Sequence, residues 1–191
     1  MSYHFFAYMS RMKYIKRWGL MKNLCEENIQ EHSMACAMVA HALALIENKY
    51  FGGTLNPEHI MALGLFHETG EVITGDLATP IKYFNQKING AYREVEQFAE
   101  EKMISFLPED FRTDYRELIC HENNPEYRYV KAADRICAYT KCLEELKSGN
   151  LEFEKACETI RRSIEEMKMP CADYFMEHFV PSFRLTLDEL N

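Results

Sequence analysis

Apolar residues recur at intervals of three and four along most of the chain, and no stretch alternates with the period of two that marks a half-buried strand. Helices are therefore expected throughout. Residues 4–14 read as a short amphipathic helix, with a turn at Lys16-Arg17-Trp18-Gly19. Asn28 with Glu31 three positions on has the form of a capping box, so a helix should cover 29–48 with Ile29, His32, Cys36, Val39 and Leu43 on one stripe. Asn56-Pro57 supplies an N-cap and a proline at the first helical position, opening a helix that carries Ile60, Leu63 and His67. Gly75-Asp76 loosens the backbone into a loop, and Thr79-Pro80 opens a short helix through Lys82 and Phe84.

The span 90–107 reads as an amphipathic helix with Tyr92, Val95, Phe98, Ala99 and Met103 on its apolar side, ended by Pro108. A helix with Phe111, Tyr115, Leu118 and Ile119 follows. Asn124-Pro125 then begins a long helix with Val130, Ala133, Asp134 and Cys137 on one stripe, closing at Gly149. Further helices are expected over 151–169 and 173–180, and Tyr174, Phe175, Phe179 and Phe183 are expected to complete the core or a subunit interface. The expectation is an all-α fold of roughly seven to nine helices, a single domain over residues 1–191.

Composition narrows the function classes. The net charge of −8 disfavours broad binding to a nucleic-acid polymer or an anionic membrane, though not a local pocket for one phosphate. Seven cysteines without a C-x-x-C pair suggest buried thiols in a reducing cytoplasm. At the N-terminus apolar residues precede basic ones, the reverse of a signal peptide, and no apolar run approaches the length needed to cross a bilayer.

Candidate chemistry centres on Leu65-Phe66-His67-Glu68-Thr69-Gly70-Glu71, which sets an imidazole beside one carboxylate and four residues before another, within an apolar helix. Neutral imidazole and ionised carboxylate suit a divalent transition metal. A helix-capping carboxylate cluster with one solvated histidine is the alternative. His32 falls on a buried stripe, as a hydrogen-bonded core histidine or a ligand. Asp134 falls on another, where a carboxylate is costly unless paired or bound to a metal. Arg17 either packs over the only tryptophan, Trp18, or is held rigidly to receive a phosphate. The sequence lacks the second histidine, four residues after His67, of a zincin protease.

The order His32, then His67-Glu68, then Asp134 is similar to the metal-binding pattern of the HD superfamily of phosphohydrolases. Arg17-Trp18, Glu31-His32-Ser33, the stretch from Gly75 to Phe84, Cys142-Leu143-Glu144-Glu145-Leu146 and the ending from Asp173 to Phe183 resemble the bacterial HD-domain 5'-deoxynucleotidases (YfbR-like). The resemblance covers essentially the whole chain. It implies metal ligands at His32, His67, Glu68 and Asp134, with cobalt or manganese preferred. Arg17 and Trp18 would orient the phosphate of a deoxyribonucleoside monophosphate, Glu71 would handle a proton or position water, and Asp76 with Thr79, Pro80, Ile81 and Lys82 would line the nucleoside pocket. It also implies a homodimer.

One position departs from the family, which has Asp where this chain has Glu68. Gly64 and Gly70 flank it and are expected to absorb the longer side chain. A nucleotide-binding or sensing protein that has lost efficient hydrolysis is the alternative reading, and an HD phosphohydrolase acting on another small phosphate ester is a third.

Overall fold

A computed structural model of the chain describes residues 2–82, 84–121 and 124–190, and the side chains of these other than Thr79. Among the described residues it is all-helical: α1 (Phe5–Met9), α2 (Ile29–Tyr50), α3 (Pro57–Phe66), α4 (Glu71–Thr74), α5 (Thr79–Lys82), α6 (Gln86–Ser105), α7 (Arg112–Ile119), α8 (Tyr127–Lys147), α9 (Glu154–Glu165) and α10 (Pro170–His178). Two of these, α4 and α5, are single turns, so the longer helices fall within the expected number. The nearest thing to a sheet is one bridge between Lys16 and Asn28.

The two helices that carry most of the core start where the caps predict. Asn28 Oδ1 accepts the backbone N–H groups of Gln30 and Glu31, each at 3.0 Å, and Glu31 Oε2 accepts the N–H of Asn28 at 3.3 Å, closing both halves of the capping box of α2. Asn56 Oδ1 accepts the N–H of His59 at 3.1 Å above Pro57, and so begins α3. The main core joins α2, α3 and α8 through Cys36, Leu43, Ile60, Leu63, Val130 and Ile136. Each fully buried aliphatic side chain there contributes about 1.5–3 kcal/mol. A smaller cluster of Phe5, Met103, Ile104, Leu107 and Ile119 seats α1 on α6 and α7.

Four expectations change. His67 and Glu68 are not inside a helix: α3 ends at Phe66 and they begin a turn, with Thr69 donating from both N–H (3.1 Å) and Oγ1 (2.6 Å) to the carbonyl of Phe66. The helix placed at 90–107 starts at Gln86, because Asn85 Oδ1 caps it through the N–H of Ile88 at 2.9 Å, and Gly90 rides within it. Its inward ridge is Tyr92, Glu96, Ala99 and Met103. Tyr92, Ala99 and Met103 point inward as expected, but Glu96 takes the remaining place on the ridge, at the wall of a polar cavity, while Phe98 is 67% exposed and Val95 49% exposed. Finally, α2 is long and apolar enough to cross a membrane, contrary to expectation, but half of its most apolar stretch is buried within the fold, as in a core helix.

Candidate metal centre and its surroundings

The site forms where the first turns of α2, the end of α3 and the middle of α8 meet a loop from the N-terminal region. Residues 15–17 pair with 27–29: Ile29 N–H donates to the Ile15 carbonyl and Arg17 N–H to the Glu27 carbonyl, both at 3.0 Å. This lays Arg17 against the start of α2. The chain then reverses at Trp18, whose φ of 61° places the left-handed residue at the tryptophan and not at Gly19.

Buried hydrogen bonds tie that loop to the end of α8. Glu145 accepts the N–H groups of Leu24 and Cys25, each as close as 3.0 Å, and the Nδ2–H of Asn150 at 2.7 Å. Lys141 Nζ donates to Glu145 Oε1 at 2.5 Å and to the carbonyl of Cys25. The Trp18 ring packs on Phe153 with centroids 5.3 Å apart.

His32, His67, Glu68 and Asp134 converge so that one ligand atom of each lies within 4.8 Å of the others. His67 Nε2 is 3.2 Å from Glu68 Oε1, His32 Nε2 is 3.7 Å from the same oxygen, and His32 Nε2 is 3.0 Å from Asp134 Oδ1. The two imidazoles are tilted 55° with centroids 5.3 Å apart. His67 Nδ1–H donates to the carbonyl of Gly64 at 2.7 Å, which turns the Nε2 lone pair toward the cluster.

These residues fit a cation. The Nε2 atoms of both histidines are buried and face only carboxylate oxygens, Asp134 Oδ1 for His32 and Glu68 Oε1 for His67, while Oε2 of Glu71 is buried without a hydrogen-bond partner, an arrangement that costs free energy unless another group meets it. Five carboxylates, Glu27, Glu68, Glu71, Asp76 and Asp134, gather around the single guanidinium of Arg17. Burial would lower the Arg17 pKa, but the carboxylates led by Glu27 more than offset it and hold the group charged. Burial and then Arg17 hold His32 below its ordinary value, in the neutral form that a ligand needs. Burial would raise Asp134, yet its hydrogen bond and charge contact with His32 bring it down to about 2. Burial, then the charge and hydrogen bond of Glu68, push Glu71 up to about 11. A bound cation would relieve that crowding.

Asp134 differs from expectation in one respect. It sits on the buried stripe, but its side chain keeps 41% of its surface because it opens onto a cavity. That cavity, about 850 Å³, extends from His67, Glu68, Glu71 and Asp134 between α6 and the start of α8, past Lys82 and Tyr127. Its size suits a small organic ligand.

Arg17, Trp18 and Asp76 do not line the cavity and meet the cluster from the loop side. Arg17 Nη1 donates to Glu27 Oε2 at 3.0 Å and to His32 Nδ1 at 2.5 Å, and Nη2 lies 3.7 Å from Asp134 Oδ1. The guanidinium therefore points into the cluster and is not laid over the indole. Asp76 takes the backbone N–H of Trp18, although burial, its largest influence, still raises its pKa. Lys82 Nζ pairs with Glu96 at 2.6 Å on the cavity wall, whereas Pro80 and Ile81 are exposed and do not line it. The Thr79 side chain and Tyr83 lie outside the described residues. Sequence reasoning missed Glu27, which precedes the capping box without any pattern to mark it, and the bonding role of Glu145.

Solved structures share this helical fold. One is an HD-domain phosphohydrolase from Listeria innocua, with TM-score 0.82 and 23% identity, covering 94% of this chain and 88% of that one. Another, from Pyrococcus horikoshii, has TM-score 0.70 and 21% identity over 95% and 97% of the two chains.

Sequence similarity goes further than the fold. Residues 4–183 match the family described as 5'-deoxynucleotidase YfbR-like, and the chain belongs to that family. It is 52% identical over 190 residues to a 5'-deoxynucleotidase of Vibrio atlanticus, covering 98% of each chain. It is 48% identical to the 5'-deoxynucleotidase YfbR of Salmonella arizonae, over 98% of this chain and 96% of that one.

Proposed function

We propose that the protein is a metal-dependent 5'-deoxynucleotidase, removing the 5'-phosphate from deoxyribonucleoside monophosphates. The observation that carries this reading is the convergence of two buried Nε2 atoms on the carboxylates of Glu68 and Asp134. His32, His67, Glu68 and Asp134 would hold the ion, with cobalt or manganese the choice that family resemblance favours. A divalent ion bound there supplies Lewis acidity and makes water nucleophilic near neutral pH.

The chain's own residues do the rest. Arg17 neutralises the non-bridging oxygens of the phosphate, a contribution that matters most where water is excluded. Trp18 holds the loop that presents Arg17. Glu71, in contact with Glu68, holds or passes a proton at Oε2. Asp76 meets the sugar edge from the loop side and Lys82 takes the nucleoside side of the cavity, while Thr79, Pro80 and Ile81, of which Pro80 and Ile81 stand off the cavity wall, belong to the segment that carries Lys82. A homodimer, and one domain spanning residues 1–191, belong to the same reading. The seven free cysteines support a cytoplasmic setting.

The sensing alternative rests on Glu68, whose oxygen nevertheless reaches both imidazoles. Phosphate release measured over deoxyribo- and ribonucleoside monophosphates, with Co²⁺, Mn²⁺ and other divalent ions, tests the proposal. Faster release from dAMP than from AMP is expected. Equal turnover of the two removes the role of Asp76, and a protein inert with every ion and nucleotide removes the enzymatic reading.

A further inference from the structure

The Glu27 carboxylate is where the two halves of the site meet. Oε2 accepts Nη1–H of Arg17 at 3.0 Å and the indole N–H of Trp18 at 3.1 Å. Oε1 stands 3.9 Å from Nδ1 of His32. The Glu27 main-chain carbonyl also accepts the Arg17 N–H at 3.0 Å, so backbone and side chain tether the same residue. Only 16% of the side chain is exposed.

We infer that Glu27 is a positioning residue that couples the phosphate-binding arginine to the metal centre, one oxygen fixing Arg17 and Trp18 while the other stands ready to take the Nδ1–H of His32 when an ion binds. The inference rests on the metal-centre reading. Arg17 Nη1 is shared between Glu27 and His32 Nδ1, which fixes the guanidinium plane and directs Nη2 at Asp134. Because Arg17 donates to Nδ1 here, that nitrogen carries no proton in this arrangement. To offer its Nε2 lone pair to an ion, the neutral His32 ring must keep its one proton on Nδ1, facing an acceptor. Arginine accepts nothing, and the carboxylate oxygen facing Nδ1 is Glu27 Oε1. Ligation at Nε2 therefore requires Nη1 to yield Nδ1 to Glu27, which leaves an Arg17 N–H to turn toward an anion. Ion and phosphate binding are linked through one carboxylate.

The experiment uses Glu27→Gln, which keeps the shape and one acceptor but removes the charge, and Glu27→Ala. Calorimetric titration with Mn²⁺ alone should show a dissociation constant raised at least about tenfold in Glu27→Gln, the usual effect of losing a partner behind a ligating histidine. With Mn²⁺ saturating and dAMP as substrate, kcat should fall on the order of a hundredfold, as for a small misplacement of reacting groups, without a rise in KM. A Glu27→Gln protein that binds Mn²⁺ within about twofold of the parent overturns the inference, on the scale expected for such partners. So does one whose loss lies in KM alone. Should Glu27→Ala fail to fold, the isosteric variant carries the test. The titration needs no substrate, so a parent that takes up Mn²⁺ but releases no phosphate defeats the nucleotidase reading and leaves this one standing.

Discussion

Gly64 on α3 lies so close to Ala37 on α2 that a Cβ built on it would sit 3.0 Å from the Ala37 Cα and 3.3 Å from its N. Both atoms are backbone, which cannot swing aside. The bare glycine is thus what lets α3, which leads into His67, approach the helix bearing His32, and its carbonyl also fixes the His67 ring.

Gly64→Ala should push the helices apart by a few tenths of an ångström. Overpacking of this kind costs about 1–3 kcal/mol, a melting temperature lower by roughly 2–12 °C at this chain length, and metal affinity should fall with it. Calorimetric scanning and Mn²⁺ titration check both effects. A variant with the parent's melting temperature and affinity means the contact is slack.

The helical frame was legible because caps are local: Asn28 with Glu31 and Asn56-Pro57 announce α2 and α3 within four residues. His32 and Asp134, two of the four converging side chains, were legible for a different reason, namely as polar residues on otherwise apolar stripes. What lay hidden depends on contacts between distant segments. Glu27 meets Arg17 and Trp18 only because residues 15–17 fold back on 27–29, and Glu145 is saturated by backbone N–H groups more than a hundred residues away. On α6 only Val95 and Phe98 depart from the expected apolar face, because Glu96 turns toward Lys82 at the wall of a polar cavity.

Glu145 should make stability depend on acid. Burial acts to raise its pKa, but hydrogen bonds from Lys141, Asn150 and the N–H groups of Cys25 and Leu24 bring it down to about 2 from the ordinary 4.5. A depressed carboxyl contributes stability that is complete above its unfolded value and is lost as pH falls toward the folded one. Melting temperature should therefore fall between about pH 5 and pH 2 more steeply in the parent than in Glu145→Gln. Near neutral pH that variant strands Lys141 beside Cys25 and should cost on the order of 3 kcal/mol, or roughly 6–12 °C. Parallel melting curves across that pH range would remove Glu145 from the account.

His67→Ala and Asp134→Ala should each abolish uptake of the divalent ion, since each removes one of the four converging ligand atoms. Elemental analysis after dialysis, with calorimetry, measures this directly. Metal content equal to the parent's in both variants means the ion binds elsewhere.

The departure at Glu68 gives the most discriminating variant. Gly64 has no slack to absorb the longer side chain, being packed on Ala37, and Gly70 has an ordinary helical φ of −62° with Glu100 nearby. The accommodation comes instead from position: Glu68 lies on the turn beyond α3, and from there Oε1 reaches 3.2 Å from His67 Nε2 and 3.7 Å from His32 Nε2. An aspartate on the same backbone would draw its oxygens back by about 1.5 Å, one carbon–carbon bond. A turn can move that far more readily than the interior of a helix, whose hydrogen-bond ladder would have to break. Glu68→Asp should therefore keep or raise turnover of dAMP, while Glu68→Ala loses metal affinity and at least about a hundredfold in kcat, the scale set by misplaced reacting groups. Steady-state kinetics at saturating Mn²⁺, beside a metal titration of each variant, reads both effects. An alanine variant as fast as the parent excludes Glu68 as a ligand, and an aspartate variant as impaired as the alanine one shows that the turn is built around glutamate and does not adapt.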